Sequence, residues 1–243
     1  MTRTLLNQQG TYLRLAKSGI LSIMHNSYFY FSLFTLSFFI LSFSSCTSES
    51  EDYDQYHDWA KRNAAWFETV ADSARTAINA AQAQYGDTWE QHCDWRMYKS
   101  LYKSQELQRG IVGDSICVHI LNSGNGTVSP ASNDTVRISF RGWLIPTTKA
   151  DGTTEELVFS QSYYGNYDPR TAAPQKACVS SFTTGFATAL QYMVEGDDWM
   201  VYIPQELFYG SNQTGLIPSY SSARFRIHMV GVYNVGEVVP PWN

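Results

Sequence analysis

The sequence predicts an α+β protein: an antiparallel sheet wrapped on one short helix, preceded by an N-terminal helical region. Three observations predict it. Within Gly185 to Gly210, Phe186, Leu190 and Met193 recur at helical spacing, Glu195-Gly196-Asp197 makes a turn, and Trp199 to Pro204 runs as a strand that Pro204 ends. Val136 to Trp143 and Ala223 to Met229 alternate apolar with polar residues, the pattern of strands with one buried face. Asp54 to Tyr85 repeats apolar residues every three or four positions, the pattern of a long amphipathic helix. The helix at Phe186 is too short to stand alone in water, so it needs the sheet to bury its face.

The N-terminal residues read as a targeting segment. Tyr28 to Phe43 is an apolar run without a charge. It is shorter than the about 20 residues of a comfortable membrane span and fits a signal-peptide core. Arg3, Arg14 and Lys17 precede it as a positive region, and either Met1 or Met24 can be the start. The run closes on Leu41-Ser42-Phe43-Ser44-Ser45-Cys46, small residues before a cysteine, which resembles a bacterial lipobox with Cys46 as the lipidated first residue. An acidic tether, residues 47–53, follows and should stay solvated. The expected divisions are therefore 1–46 leader, 47–53 tether, 54–110 helical region, 115–235 sheet domain and 236–243 tail.

In the helical region, Trp59, Trp66, Phe67, Val70, Ala74, Ala77, Ile78 and Ala81 form one stripe, and Gly86-Asp87 stops the helix. Trp95, Tyr98, Leu101 and Tyr102 predict a second, shorter helix within Trp89 to Leu107. The stripe is read as packing against the C-terminal domain or another copy. Ile116, Val118 and Ile120 then start a first strand, and Gly124-Asn125-Gly126 turns it. Val136, Ile138, Phe140 and Gly142 alternate with Arg137, Ser139, Arg141 and Trp143 in a longer one. Leu157-Val158-Phe159 is a short strand and Tyr163 to Ala173 a loop. Ala223, Phe225, Ile227 and Met229 alternate with Arg224, Arg226 and His228 in the last strand. Such alternation predicts one wet sheet face.

Composition narrows the function. The 243 residues carry a net charge of -5 and no basic stripe, which argues against nucleic acid as a partner. The five histidines and four cysteines show no metal-ligand spacing, and no cofactor is expected. Beyond Cys46, the cysteines at 93, 117 and 178 permit at most one internal disulfide. No histidine stands as partner to a nucleophile, and no phosphate-binding or dinucleotide fingerprint is present.

The segments Val136 to Gly142, Val158 to Ser162, Gly185 to Met193, Gly196-Asp197, Ile203 to Gly210, Ile217-Pro218 and Phe225 come in an order and spacing that resembles the FKBP-type peptidyl-prolyl isomerase domain. The resemblance covers about Ser115 to Val235. It implies a proline pocket with Phe186 as floor and Phe140, Phe159, Phe182, Ile217 and Phe225 as walls. The Thr183 backbone N–H and the Tyr209 hydroxyl would hold substrate carbonyls. In this family the position of Phe140 is usually Tyr, that of Phe186 often Trp and that of Ser160 usually Asp. Rings are kept at the first two, and a carboxylate is lost at Ser160.

The chemistry agrees with the absence of nucleophile signatures. Isomerising an X-Pro bond means twisting a planar amide over a barrier of about 20 kcal/mol. The twisted amide is less polar, so a dry aromatic pocket can favour it over the planar one. The expected function is peptidyl-prolyl isomerisation in exported proteins by an outer-membrane lipoprotein of a bacterial envelope, periplasmic or surface-facing, acting on proline-containing peptides or unfolded chains. One alternative is an FKBP-fold binding module with little turnover, because of Ser160. Another is a surface interaction protein acting through the N-terminal helices, which by analogy with dimeric isomerases could also form a homodimer.

Overall fold

The computed structural model describes residues 54–104 and 112–242. The apolar run at 28–43, Cys46 and the tether at 47–53 lie outside them. Helix α1, Trp59–Tyr85, opens after a turn at residues 54–58. It ends where Gly86 takes a φ of 56°, a left-handed conformation that costs glycine little, and donates its N–H to the Gln82 carbonyl. A 3-10 turn, Gly86–Gln91, leads to strand β1, Trp95–Lys99.

β1 corrects the expectation of a second helix. It pairs antiparallel with β2, Ser115–Asn122, in the register Trp95 to His119 and Met97 to Cys117. Trp95 and Tyr98 share a face in a helix but take opposite faces of a strand. The structure stacks Trp95 on His119 and Tyr202, while Tyr98 stacks on Tyr192 and Trp199. Both faces of β1 are wanted by neighbours, so tertiary packing overrides the three-residue spacing. The sheet therefore extends back into the stretch read as helical.

Strands β3, Thr135–Leu144, β6, Val158–Gln161, β7, Gln175–Cys178, β8, Asp198–Ile203, and β9, Ala223–Tyr233, complete the main sheet. Its order is β1-β2-β8-β9-β3-β6, with β7 also on β3, and every pairing is antiparallel. β4, Thr147–Thr148, and β5, Thr154–Glu155, form a separate small hairpin around Asp151-Gly152. The second helix, α2, Thr184–Tyr192, lies on the inner face and buries Gly185 through Leu190. Its core includes Ile116, Val118, Val136, Ile138, Leu190, Val201 and Ile227, all inaccessible to solvent.

The expected wet face is also corrected. α1 packs on the outer face, where Phe67, Ala71 and Ala74 meet Cys117, with Trp95, Met97 and Tyr202 beside them. Alanine at 71 and 74 presents only a methyl group, so no long side chain holds the helix off the sheet. The stripe is thus spent on this chain's own sheet. It includes Asn63, a buried polar residue that an apolar pattern does not reveal. Cys93, Cys117 and Cys178 are all free thiols, and burial pushes the Cys117 thiol up to about 12.

Beyond α1, the outer face carries a polar cluster. His228, 5% exposed, lies 3.2 Å from the Asp198 carboxylate through Nδ1 and 3.4 Å from the Tyr163 hydroxyl through Nε2. Tyr167 stacks on its ring at 3.6 Å. Arg226 grips Asp198 through two nitrogens, at 3.1 and 2.7 Å. Burial holds the imidazole down at about 4; Asp198 opposes this and Arg226 adds to it. A folded-state value below the ordinary 6.5 means the fold prefers neutral His228. Its contribution is present above pH 6.5 and is lost as pH falls toward 4. Urea unfolding between pH 7 and pH 4 should show this loss, up to about 3 kcal/mol, and His228→Gln should remove that component of the slope.

Candidate functional site

The inner face opens beside α2 into a cleft of about 770 Å³. β9 contributes Phe225 to its bottom, α2 contributes Phe186, and β3 contributes Phe140; these rings are 4%, 3% and 7% exposed. Phe225 stands edge-on to Phe186 at 4.8 Å and to Phe159 of β6 at 5.4 Å. Phe140 stands edge-on to Phe186 at 5.8 Å, and Phe182, just before α2, stacks on Phe186 at 4.6 Å. Edge-to-face geometry sets the positive ring edge against the negative ring face.

The crowding is possible because Gly142 faces Phe225 across the β3–β9 ladder. A β-carbon there would lie 2.5 Å from the Phe225 ring and 2.9 Å from Phe159. Glycine in an inward strand position signals such a close approach.

The rim is polar but carries no full charge. Ser160, Gln175, Ser181, Thr183, Tyr209 and Thr214 line it with Gly215, Leu216 and Ile217. Tyr209 is the one ionisable group among the lining residues. The Thr183 hydroxyl is buried and has no hydrogen-bond partner. It does not cap α2, although Thr183 holds the cap position and its carbonyl accepts the Ala187 N–H at 2.8 Å. An unpaired buried hydroxyl is costly unless a ligand completes it.

All nine residues expected at the pocket, Phe140, Phe159, Ser160, Phe182, Thr183, Phe186, Tyr209, Ile217 and Phe225, line this one cleft. Phe208 was missed. Its ring lies 5.7 Å from Phe159, 6.0 Å from Phe225 and 4.5 Å from Tyr209. It follows a 3-10 turn, Gln205–Leu207, at a φ/ψ of -111°/-115°, and no periodicity of strand or helix predicts where its ring points. Gly142 was read only as a strand position, although a glycine among inward apolar residues was a usable signal.

Comparison with known proteins places a similarity over the same part of the chain. Residues 126–230 match the family model for FKBP-type peptidyl-prolyl cis-trans isomerase. This stretch is similar to an FKBP-type domain. It is similar to the macrophage infectivity potentiator of Trypanosoma cruzi, with 32% identity over 47% of this chain and 51% of that protein. It is similar to the FKBP-type 22 kDa peptidyl-prolyl cis-trans isomerase of Escherichia coli strain K12, with 32% identity over 46% and 48%. It is also similar to the outer membrane protein MIP of Legionella longbeachae, with 30% identity over 46% and 42%. The chain spans about half the length of these relatives or less. α1 and β1 lie before the matched residues.

Two substitutions test the cleft directly. Gly142→Ala should displace the Phe225 and Phe159 rings and cost about 1–3 kcal/mol by overpacking, read in thermal unfolding. Thr183→Val should leave stability unchanged or raised, because it removes an unpaired hydroxyl. If that hydroxyl meets ligand, binding of a proline peptide should weaken roughly three- to tenfold.

Proposed function

We propose that this chain is a peptidyl-prolyl cis-trans isomerase that acts on exported proteins at a bacterial envelope membrane. The observation that carries the proposal is a cleft walled by stacked phenylalanines, with no carboxylate, imidazole or ammonium in its lining. Such a lining offers no general base and no strong nucleophile. It does offer what amide twisting needs: a poorly hydrated apolar surface for the proline ring and a few donors for flanking carbonyls. In this reading Phe186 and Phe225 form the floor under the proline. Phe140, Phe159, Phe182 and Ile217 wall it, and the Thr183 N–H and Tyr209 hydroxyl anchor substrate carbonyls. Removing water lowers the polarity around the substrate amide, which favours the twisted and less polar state.

The sequence supports the location. The apolar run at Tyr28 to Phe43 followed by Cys46 reads as a leader ending in a lipid-carrying cysteine, and one relative is named as an outer membrane protein. Residues 47–53 would then be the tether between lipid and folded chain. α1 spends its aromatic stripe on its own sheet, so the pocket rather than the helix carries the functional reading.

Ser160 favours a second reading, a proline-binding module with low turnover. It lines the cleft where the family usually has a carboxylate, and a neutral hydroxyl leaves the pocket without that charge. A protease-coupled isomerase assay on the full chain separates the two. For the isomerase, Phe159→Ala should lower kcat/KM at least about tenfold, or roughly 1.4 kcal/mol. A native chain without turnover that gains it with Ser160→Asp would establish the binding module instead.

A further inference from the structure

The loop that closes one side of the cleft is held from behind by α1, which lies outside the matched domain. This loop, residues 211–222, carries Leu216, 67% exposed at the rim, and Ile217, 6% exposed. Thr214 and Ile217 exchange two backbone hydrogen bonds, at 3.0 and 2.9 Å, and make its tip. The returning limb is strained. Tyr220 has a φ of 62°, a left-handed conformation that costs a bulky residue of order 1 kcal/mol or more and persists only when neighbours enforce it.

The next two residues are the ones that α1 holds. The Trp59 indole N–H donates to the Ser221 hydroxyl at 2.8 Å, and that hydroxyl donates onward to the Pro218 carbonyl at 2.6 Å. The Asn63 side-chain oxygen accepts the Ser222 backbone N–H at 2.7 Å, while its amide nitrogen donates to the Trp59 carbonyl at 2.7 Å. All four residues are at most 6% exposed. The Trp59 ring packs in one cluster with Ile217, Leu144 and Ile145, and Phe159, Phe208 and Tyr209 of the cleft lean on that cluster. The back of the pocket wall is therefore built from the helix.

We propose that Trp59 and Asn63 are positioning residues for the pocket: they clamp Ser221 and Ser222, and so hold Ile217 in the cleft wall. Neither touches the cleft, and each acts through the loop. The effect on catalysis rests on the isomerase reading, whereas the clamp itself does not.

The test uses the full chain with three variants. Trp59→Phe keeps a ring and loses the donor, Asn63→Ala strands the Ser222 N–H, and Ala74→Gly loosens α1 in the middle of its buried face, away from the loop. Amide hydrogen exchange reads the loop, and a blocked Leu-Pro tetrapeptide reads the pocket by Kd and by KM against kcat. The clamp variants should speed exchange at Ile217 and Ser222, and should raise Kd and KM roughly three- to tenfold with a smaller change in kcat. Ala74→Gly, compared at equal global stability, should do neither. Adding Trp59→Phe to Ser221→Ala should cost little more than Ser221→Ala alone, because that variant has already lost the hydrogen bond that joins them. Unchanged loop exchange in both clamp variants overturns the proposal. So does a loosened loop with unchanged peptide affinity, or an Ala74→Gly effect of the same size. A native chain that binds the peptide without turnover sinks the isomerase reading, and the exchange and Kd results still decide the clamp.

Discussion

Phe225 is the residue on which the architecture converges. It projects from β9 toward α2, and four other phenylalanine rings lie within 6.4 Å of its centre: Phe186, Phe159, Phe208 and Phe140. Each such pair adds about 0.5–1.5 kcal/mol beyond the area it buries. The arrangement exists only because Gly142, its partner across the ladder, presents no side chain. Helix, sheet and both flanking loops therefore register on one ring, and the cleft is the space left above it.

One strand serves two chemistries through its two-residue period. Phe225 and Ile227 point inward to the cleft and core, while Arg224, Arg226 and His228 point outward. The outward residues meet Glu156, Asp198, Tyr163 and Tyr167, so charge is paired on the far side of the sheet. The cleft stays free of it. A pocket that works by low polarity needs this segregation, because a nearby unpaired charge would draw water into it.

The sheet also shows why the N-terminal extension belongs to the same body. Its outer face carries Cys117, Trp95, Met97 and Tyr202, which would be an exposed apolar patch without α1. α1 covers that patch along its middle and reaches the pocket loop with its first turns, through Trp59 and Asn63. Phe159 and Phe208 lean on both the inner core and the Trp59 cluster, so the two sides of the sheet are joined at the cleft.

Much of this was legible in the sequence. Period-two alternation located β2, β3 and β9, helical spacing located α1 and α2, and the ordered FKBP-like segments brought nine pocket residues to one place. Those signals are local, because backbone geometry sets which residues share a face. β1 was not legible, since Trp95 and Tyr98 three residues apart suit a helix until neighbours claim both faces of a strand. Nor were the covered outer face, the inward ring of Phe208, or the use of buried Asn63 to hold Ser222, 159 positions away. By itself the sequence determined the two helices and the longer strands β2, β3 and β9, their inward faces and the uncharged aromatic character of the site. Tertiary structure alone decided what covers the sheet and what holds the pocket loop, because those contacts join residues whose spacing along the chain carries no period.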